Sequence, residues 1–373
     1  MTRKLRIGVI FGGRSGEHEV SLVSATSVIQ ALDKNRYDVI PIGIAPDGRW
    51  LSSGRALALL KEKGSLGEEP ERFLVPEPNR QGLVSLNGDP ADGKIDVIFP
   101  VVHGTYGEDG TLQGLLDLAN IPYVGAGVLG SALGMDKIVQ KQLFQQAGLP
   151  IARYTWFLSS ACMKQPRRVV AGAEKQLSYP MFIKPANTGS SVGISKAHRR
   201  RELVSAIETA AEYDRKVIVE QGIEGIREIE CSVLGNDTPE ASIPGEIIPS
   251  NEFYDYDAKY VDGKSRAVIP AKLSRSSVRR LQELAVKAFQ VLDCAGMARV
   301  DFFVTKRTGR IYLNEINTIP GFTSISMYPK LWEASGLPYA ELLDRLIGLA
   351  IERHRERNAL KTRYEPTEEW YKQ

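Results

Sequence analysis

The sequence predicts an α/β chain, α+β in part, in which a doubly wound parallel-sheet domain is followed by two α+β segments. Three observations predict it. The run from Arg6 to Phe11 is apolar in character, ends in Gly12-Gly13 and is followed from Ser21 to Leu32 by apolar residues at helical spacing, the strand, turn and helix with which such a sheet opens. The chain has 373 residues, beyond the size at which a single core usually stops growing. A glycine cluster at Gly125, Gly127, Gly130 and Gly134 marks a change of regime. The expected division is therefore 1–125, 126–220 and 221–373.

In order along the chain, Tyr37 to Ile44 and Asp96 to Val102 read as further buried parallel strands, since continuous apolar runs suit strands covered on both faces, and Gly110 to Ala119 reads as a helix. The Gly/Pro-rich stretch 76–93 is expected to be a surface connection. A helix over 136–147 is closed by Gly148 and Pro150. Strands at Met181 to Lys184 and Val217 to Glu220 bracket the loop PANTGSSVG and a helix near 201–212. Beyond them come strands at Glu228 to Leu234 and Ala241 to Ile248, a helix over 276–292, a β-hairpin over 298–317 and a helix over 338–355. The final residues form a charged, solvated tail.

Bulk composition excludes several classes of partner. Forty-eight basic and 45 acidic residues leave a formal charge of +3, so no global field draws nucleic acid or a membrane surface, and any anion must be held locally. Cys162, Cys231 and Cys294 are far apart and form no CxxC pair. Buried free thiols in a reducing compartment are the expectation. The apolar stretch near the start is only one strand long, and no window approaches a transmembrane span. A soluble, cytoplasmic protein is expected.

The most informative motif is ARVDFFVTKRTGRIYLNEIN, in which Asp301, Glu315 and Asn317 are oxygen donors within apolar strands. Strand alternation puts Glu315 and Asn317 on one face, and a suitable register brings Asp301 opposite Glu315. Such a set suits Mg²⁺, which takes one or two carboxylates and completes its shell with water and phosphate oxygens. An exposed hairpin whose acids pair with Lys306 and Arg307 stands open beside that reading. Arg299, two residues before Asp301, shares its face and either handles an anion or forms a salt bridge with it. Lys184 closes an apolar strand before a loop rich in small residues and hydroxyls, a composition that closes over phosphates or forms a flexible surface loop. The loop is not a Walker loop, and Gly12, Gly13 and Gly16 lack G-x-G-x-x-G spacing, which disfavours NAD. Glu17 and His103 follow strands at the sheet's carboxyl end, where α/β proteins bind ligands. A structural role, as helix-start acid or buried hydrogen-bonder, is open for each. EFYDYDAKY is a lid or a packed surface loop.

Taken in order, FGGRSGEHEVS, HGTYGEDG, MDK, FIKPANTGSSVGIS, YDYDAKY, ARVDFF and LNEINTIPGFTSISMYP resemble the D-alanine:D-alanine ligase family of the ATP-grasp superfamily, nearly throughout the chain. The resemblance implies an ATP-grasp fold: an N-terminal Rossmann-like substrate domain, then two α+β domains that sandwich ATP. It implies Lys137 and Lys184 on the phosphates, Ser190 and Ser191 in the loop closing over them, and Lys259 at the γ-phosphate. Glu220, Gln221 and Ile223 would form the adenine hinge, with Glu228 on the ribose and Asn314 beside Glu315 at the nucleotide. Gln221 departs from the family's usual residue, at a position where the backbone does much of the recognition. Asp301, Glu315 and Asn317 match ligands of two Mg²⁺ or Mn²⁺ ions, and a monovalent cation is a further expectation.

The resemblance further implies that Glu17, Ser190 and Tyr260 form a hydrogen-bonded trio fixing loop, lid and the first substrate's ammonium, with His103 beside that substrate. Arg299 and the Gly321 N–H would face the developing oxyanion, and Ser324 to Met327, Ser326 foremost, the second substrate's carboxylate. The implied activity joins two D-alanines through an acyl phosphate for peptidoglycan precursor synthesis. YDYDAKY is similar to the dipeptide-forming type, so D-alanine is expected in both sites. Expected partners are D-alanine, ATP and a second copy in a homodimer, without nucleic acid or membrane. A catalytically silent nucleotide-binding module is the rival, and the intact Lys184, Arg299, Asp301, Glu315 and Asn317 speak against it.

Overall fold

The structure is a computed structural model that describes residues 3–62, 72–84, 90–189, 192–249 and 266–364. Ser190 and Ser191 of the phosphate-loop candidate, and the whole of YDYDAKY with Lys259 and Tyr260, lie outside the described residues.

The chain opens with β1 (Leu5–Gly12), α1 (His18–Ala31), β2 (Tyr37–Ile44), β3 (Trp50–Leu51) and α2 (Ala56–Lys61). After β4 (Phe73–Leu74), β5 (Gly82–Val84) and β6 (Pro90–Lys94) come β7 (Val97–Pro100) and α3 (Thr111–Leu118). β1 lies at the centre of a sheet ordered β3-β2-β1-β7 and pairs in parallel with β2 and β7. Its buried Ile7, Val9 and Ile10 meet hydrophobic neighbours on both faces, which is why the run shows no alternation. The expected surface connection over 76–93 is corrected. Part of it forms the small antiparallel sheet β4-β5-β6, whose Leu74 and Leu83 join a core with Ile40, Ile42 and Ile98. Strands of two or three residues contain too little periodicity to be read from sequence.

The next elements are α4 (Val128–Met135), α5 (Lys137–Gln146), β8 (Tyr154–Leu158), α6 (Ser159–Lys164) and α7 (Pro166–Gln176). They continue through β9 (Met181–Pro185), β10 (Ser195–Ala197), α8 (Arg200–Tyr213) and β11 (Lys216–Gln221). The antiparallel sheet β10-β9-β11-β8 is covered by α6, α7 and α8, through Cys162, Val170, Leu203 and Ile207. Two glycines of the supposed boundary cluster lie inside α4. A Cβ at Gly130 would stand 2.6 Å from the Asp293 carbonyl oxygen, and one at Gly134 would stand 2.7 Å from Thr318 Cγ2. These glycines permit close helix packing and do not punctuate the chain.

The last segment comprises β12 (Ile226–Gly235), β13 (Glu240–Ala241), β14 (Gly245–Ile248), β15 (Arg266–Val268), α9 (Arg275–Val291), β16 (Gly296–Thr305), β17 (Ile311–Asn317), α10 (Met327–Ala334) and α11 (Tyr339–Ala359). Its sheet runs β15-β14-β12-β16-β17, with β13 also paired to β12. The single strand expected over 241–248 is split at Ser242 to Pro244, where Ser242 N–H bonds the Ser232 carbonyl and Pro244 has no N–H to offer. One face, with Ile229, Cys231, Val233, Val300 and Phe302, packs on Leu281, Leu284, Ala288 and Phe289 of α9. By alternation the other face of β12 and β16 carries Glu228, Glu230, Arg299 and Asp301.

α11 returns to the beginning of the chain. Its Leu342, Leu343, Leu346 and Ile347 share a core with Ile7, Val9 and Phe99, and Tyr37 donates to Asp344 at 2.7 Å. Phe322, after β17, packs edge-on against Phe99 with ring centroids 5.6 Å apart. The three cysteines are free and buried. Among the described residues no helix is long and apolar enough to cross a membrane.

Leu346 tests this closure. Leu346→Ala should destabilise the fold by about 2–5 kcal/mol in denaturant unfolding, the usual cost of a cavity at a fully buried leucine. A change below about 1 kcal/mol would show that α11 is not part of the first core.

Candidate active site

A cavity of about 450 Å³ lies where the three principal sheets meet. β9 and β11 supply one wall, β12, β16 and β17 the other, and Glu17 and His103, beyond the carboxyl ends of β1 and β7, the far end.

The β16–β17 register builds the acidic wall. Arg299 pairs with Asn317 and Asp301 with Glu315, as alternation required. The register then shifts, since Phe302 pairs with Leu313 and Asn314 becomes the extra residue of a bulge. Asn314 and Glu315, although consecutive, therefore both line the cavity. Asp301 is gripped by Arg299, whose Nε and Nη2 donate to its two oxygens at 2.7 and 2.8 Å, and Asn317 Nδ2 donates to Oδ2 at 3.1 Å. Arg299 Nε also lies 3.1 Å from Glu230 Oε2. The salt bridge left open by the sequence is present, and it lies inside the cavity, away from the hairpin turn.

Among the described residues no group of three or more His, Cys, Asp or Glu is arranged to hold a metal ion. The donor set still fits a hard cation. Asp301 and Glu315 face one another with the Asn317 amide alongside, and Mg²⁺ commonly takes one or two carboxylates and draws its other ligands from water and phosphate.

The cationic wall is made of buried lysines. Lys184 Nζ is 2.8 Å from Glu220 Oε2, and Lys141 Nζ is 2.9 Å from Oε1. Glu220 and Lys141 are only 4% and 2% exposed. Burial alone would raise the Glu220 carboxyl, but the two ammonium groups outweigh it and bring its pKa from 4.5 down to about 2. For Lys184 burial would lower the pKa, and the carboxylates of Glu220, Glu315 and Glu228 reverse that and raise it. Glu220 thus spends its side chain on lysines, while Gln221, Gly222 and Ile223 continue the cavity wall.

Local contacts place the remaining candidates. Asp136 caps α5 by accepting from the N–H groups of Ile138 and Val139 at 3.0 and 3.1 Å, which starts the helix at Lys137. Lys137 Nζ then donates to the Thr188 carbonyl at 2.7 Å, at the described edge of the glycine-rich loop. Glu17 reaches the same loop: a Cβ at Gly189 would lie 2.3 Å from its Oε2. His103 is buried, with Nδ1 at 3.1 Å from the Ile319 carbonyl and Nε2 at 3.1 Å from Ser24 Oγ. Burial would lower its pKa, but Glu108, 3.7 Å away, raises it. His103 lines the cavity. Gly321 lines it too, and a Cβ there would stand 2.7 Å from Ser326 Oγ. Ser326 lies behind Gly321, bonded to Thr323 N–H at 3.1 Å, and Ser324 is exposed.

Sequence reasoning missed Lys141, Glu230 and Glu108. Lys141 stands four residues after Lys137 on one helical face, and Glu230 two residues after Glu228 on one strand face, so both had a periodic signal. Glu108 lies in the HGTYGEDG motif, but nothing local ties it to His103.

Two family profiles match the chain: "D-ala D-ala ligase N-terminus" over residues 6–126 and "D-ala D-ala ligase C-terminus" over residues 143–348. Among curated relatives, the D-alanine–D-alanine ligase of Natranaerobius thermophilus is 52% identical over 364 residues, covering 96% of this chain and 98% of that one. The ligase of the same name from Acetivibrio thermocellus is 51% identical over 370 residues, covering 95% and 98%. Among solved structures, the D-alanine-D-alanine ligase from Coxiella burnetii superposes with a TM-score of 0.79 at 39% identity, over 95% of this chain and 98% of that one. The VanG D-Ala:D-Ser ligase from Enterococcus faecalis does so with a TM-score of 0.82 at 39% identity, over 93% and 100%.

The lowered Glu220 pKa has a signed consequence. A carboxyl that binds its proton more weakly when folded than when unfolded adds stability that is complete above pH 4.5 and lost as the pH falls toward about 2. Thermal unfolding should show Tm falling through this window, and Glu220→Gln should flatten that part of the profile. An unchanged slope in the variant would contradict the shared ion pair.

Proposed function

The chain belongs to the D-alanine–D-alanine ligase family, and from that premise we propose that this cavity uses ATP to join two D-alanines into D-alanyl-D-alanine, a peptidoglycan precursor, through a D-alanyl phosphate. The observation that carries this reading is that the Asp301, Glu315 and Asn317 donor set faces the buried Lys184 across one cavity. Triphosphate chemistry needs both.

In this reading Gln221 to Ile223, with Phe182 and Phe303, receive the adenine, and Glu228 the ribose. Lys137 and Lys184 hold the phosphates. Asp301, Glu315 and Asn317 would hold two Mg²⁺ or Mn²⁺, which when bound offset the repulsion between the triphosphate and a carboxylate. A carboxylate oxygen of the first D-alanine attacks the γ-phosphorus and ADP leaves. The amine of the second D-alanine, having lost a proton, then attacks the acyl carbon and phosphate leaves with the transferred oxygen. Arg299, oriented by Glu230 and Asp301, and the Gly321 N–H stabilise the tetrahedral oxyanion. Glu17, packed on Gly189, orients the first substrate's ammonium, and Ser326 takes the second substrate's carboxylate, with Ser324 beside it. Ser190, Ser191, Lys259 and Tyr260 belong to the loop and lid that exclude water from the acyl phosphate.

The same reading assigns 1–125 to the first substrate, 126–220 to the nucleotide and its glycine-rich loop, and 221–373 to the metal site and lid. A homodimer in the cytoplasm completes it.

A coupled ADP-release assay tests the function. D-alanine should support turnover; L-alanine and D-lactate should not, and D-serine should do so weakly. Turnover with D-lactate or D-serine equal to that with D-alanine would remove the assignment of D-alanine to the second site. Arg299→Met should lower kcat by about 10²- to 10³-fold, the usual loss on removing one oxyanion donor, and Glu315→Gln should abolish metal-dependent turnover. Wild-type-like kcat in either variant would remove that residue from the chemistry.

A further inference from the structure

We infer that Lys141, which lies behind the cavity wall, is a positioning residue for nucleotide binding: by sharing the Glu220 carboxylate it leaves Lys184 with a positive charge that Glu220 does not fully neutralise, directed at the phosphates. This inference rests on the reading that the cavity takes ATP.

Lys141 is 2% exposed and absent from the cavity lining, so its ammonium meets neither solvent nor ligand. A buried ammonium is costly unless its charge is paired and its protons are bonded. Here it has two partners, the Glu220 carboxylate at 2.9 Å and the Asn314 carbonyl at 3.0 Å. Glu220 in turn offers its other oxygen to Lys184 at 2.8 Å. One carboxylate between two lysines leaves a net single positive charge, and Lys184 is the lysine that lines the cavity. Without Lys141, Lys184 and Glu220 would form a neutral pair, and a polyphosphate would have to compete with Glu220 for the ammonium. The Asn314 contact adds geometry, because it ties this lysine pair to the β17 bulge that also presents Glu315.

A purely structural buried ion pair would predict loss of stability without a charge-specific effect on binding. Calorimetric titration with the Mg²⁺ complex of a non-hydrolysable ATP analogue separates the two. Lys141→Met should weaken binding by about tenfold or more, the scale expected when a nearby unit charge is removed in a partly buried site. Its KM for ATP should rise more than its kcat falls. Adding Glu220→Gln restores the single positive charge on Lys184, so the double variant should bind the analogue more tightly than Lys141→Met does. Wild-type affinity in Lys141→Met, or no recovery in the double variant, overturns the inference. Should Lys141→Met not fold, Lys141→Gln, which can still donate to Glu220 but has no charge, takes its place with the same expected and contradicting results. Absence of binding in the wild type would instead overturn the ATP reading of the cavity.

Discussion

A one-residue slip that inverted β16 would turn Val300, Phe302 and Val304 toward the cavity and drive Arg299 and Asp301 into the helix-covered core. The apolar face against α9 forbids that slip, so the packing beneath the sheet sets the register, and the register sets which donors face the cavity. Arg299 opposite Asn317 and Asp301 opposite Glu315 are consequences of burying Ile229, Cys231, Val233 and their partners. The bulge at Asn314 then departs from strict alternation where the consecutive Asn314 and Glu315 both line the cavity.

The facing wall obeys a different constraint. Lysines and a carboxylate buried together are tolerated only when each charge is answered, and Glu220 answers both Lys141 and Lys184. The cavity therefore has a cationic side fixed by ion pairing and an anionic side fixed by strand register. In the proposed reading a triphosphate with its metal ions would bridge such a pair of walls. Closure of the far end depends on α11 and Phe322, which bring the last segment against β1 and β7 and so place Glu17 and His103 at the same cavity.

The parts of this arrangement that repeat with a short period were legible in the sequence. The long buried strands, the helices over 275–291 and 339–359 and the face shared by Arg299, Asp301, Glu315 and Asn317 follow from periods of 3.6 and 2. What was not legible depends on contacts between distant segments. Gly130 and Gly134 read as punctuation because nothing local shows Asp293 and Thr318 pressed against them. Lys141 shares a helical face with Lys137, but nothing local shows its partner Glu220, which lies 79 positions further on. Short strands such as Phe73–Leu74 escaped for lack of length. His103, whose two roles could not be separated from sequence, has both ring nitrogens within hydrogen-bonding distance of Ile319 and Ser24.

The central claim is that the two walls activate a carboxylate by phosphorylating it. Turnover with D-alanine carrying ¹⁸O in both carboxylate positions measures this directly, by mass analysis of the released inorganic phosphate. Attack of the carboxylate on the γ-phosphorus followed by loss of phosphate from the acyl carbon transfers one labelled oxygen to each phosphate. Phosphate released without label, at the same rate as peptide forms, would contradict the account.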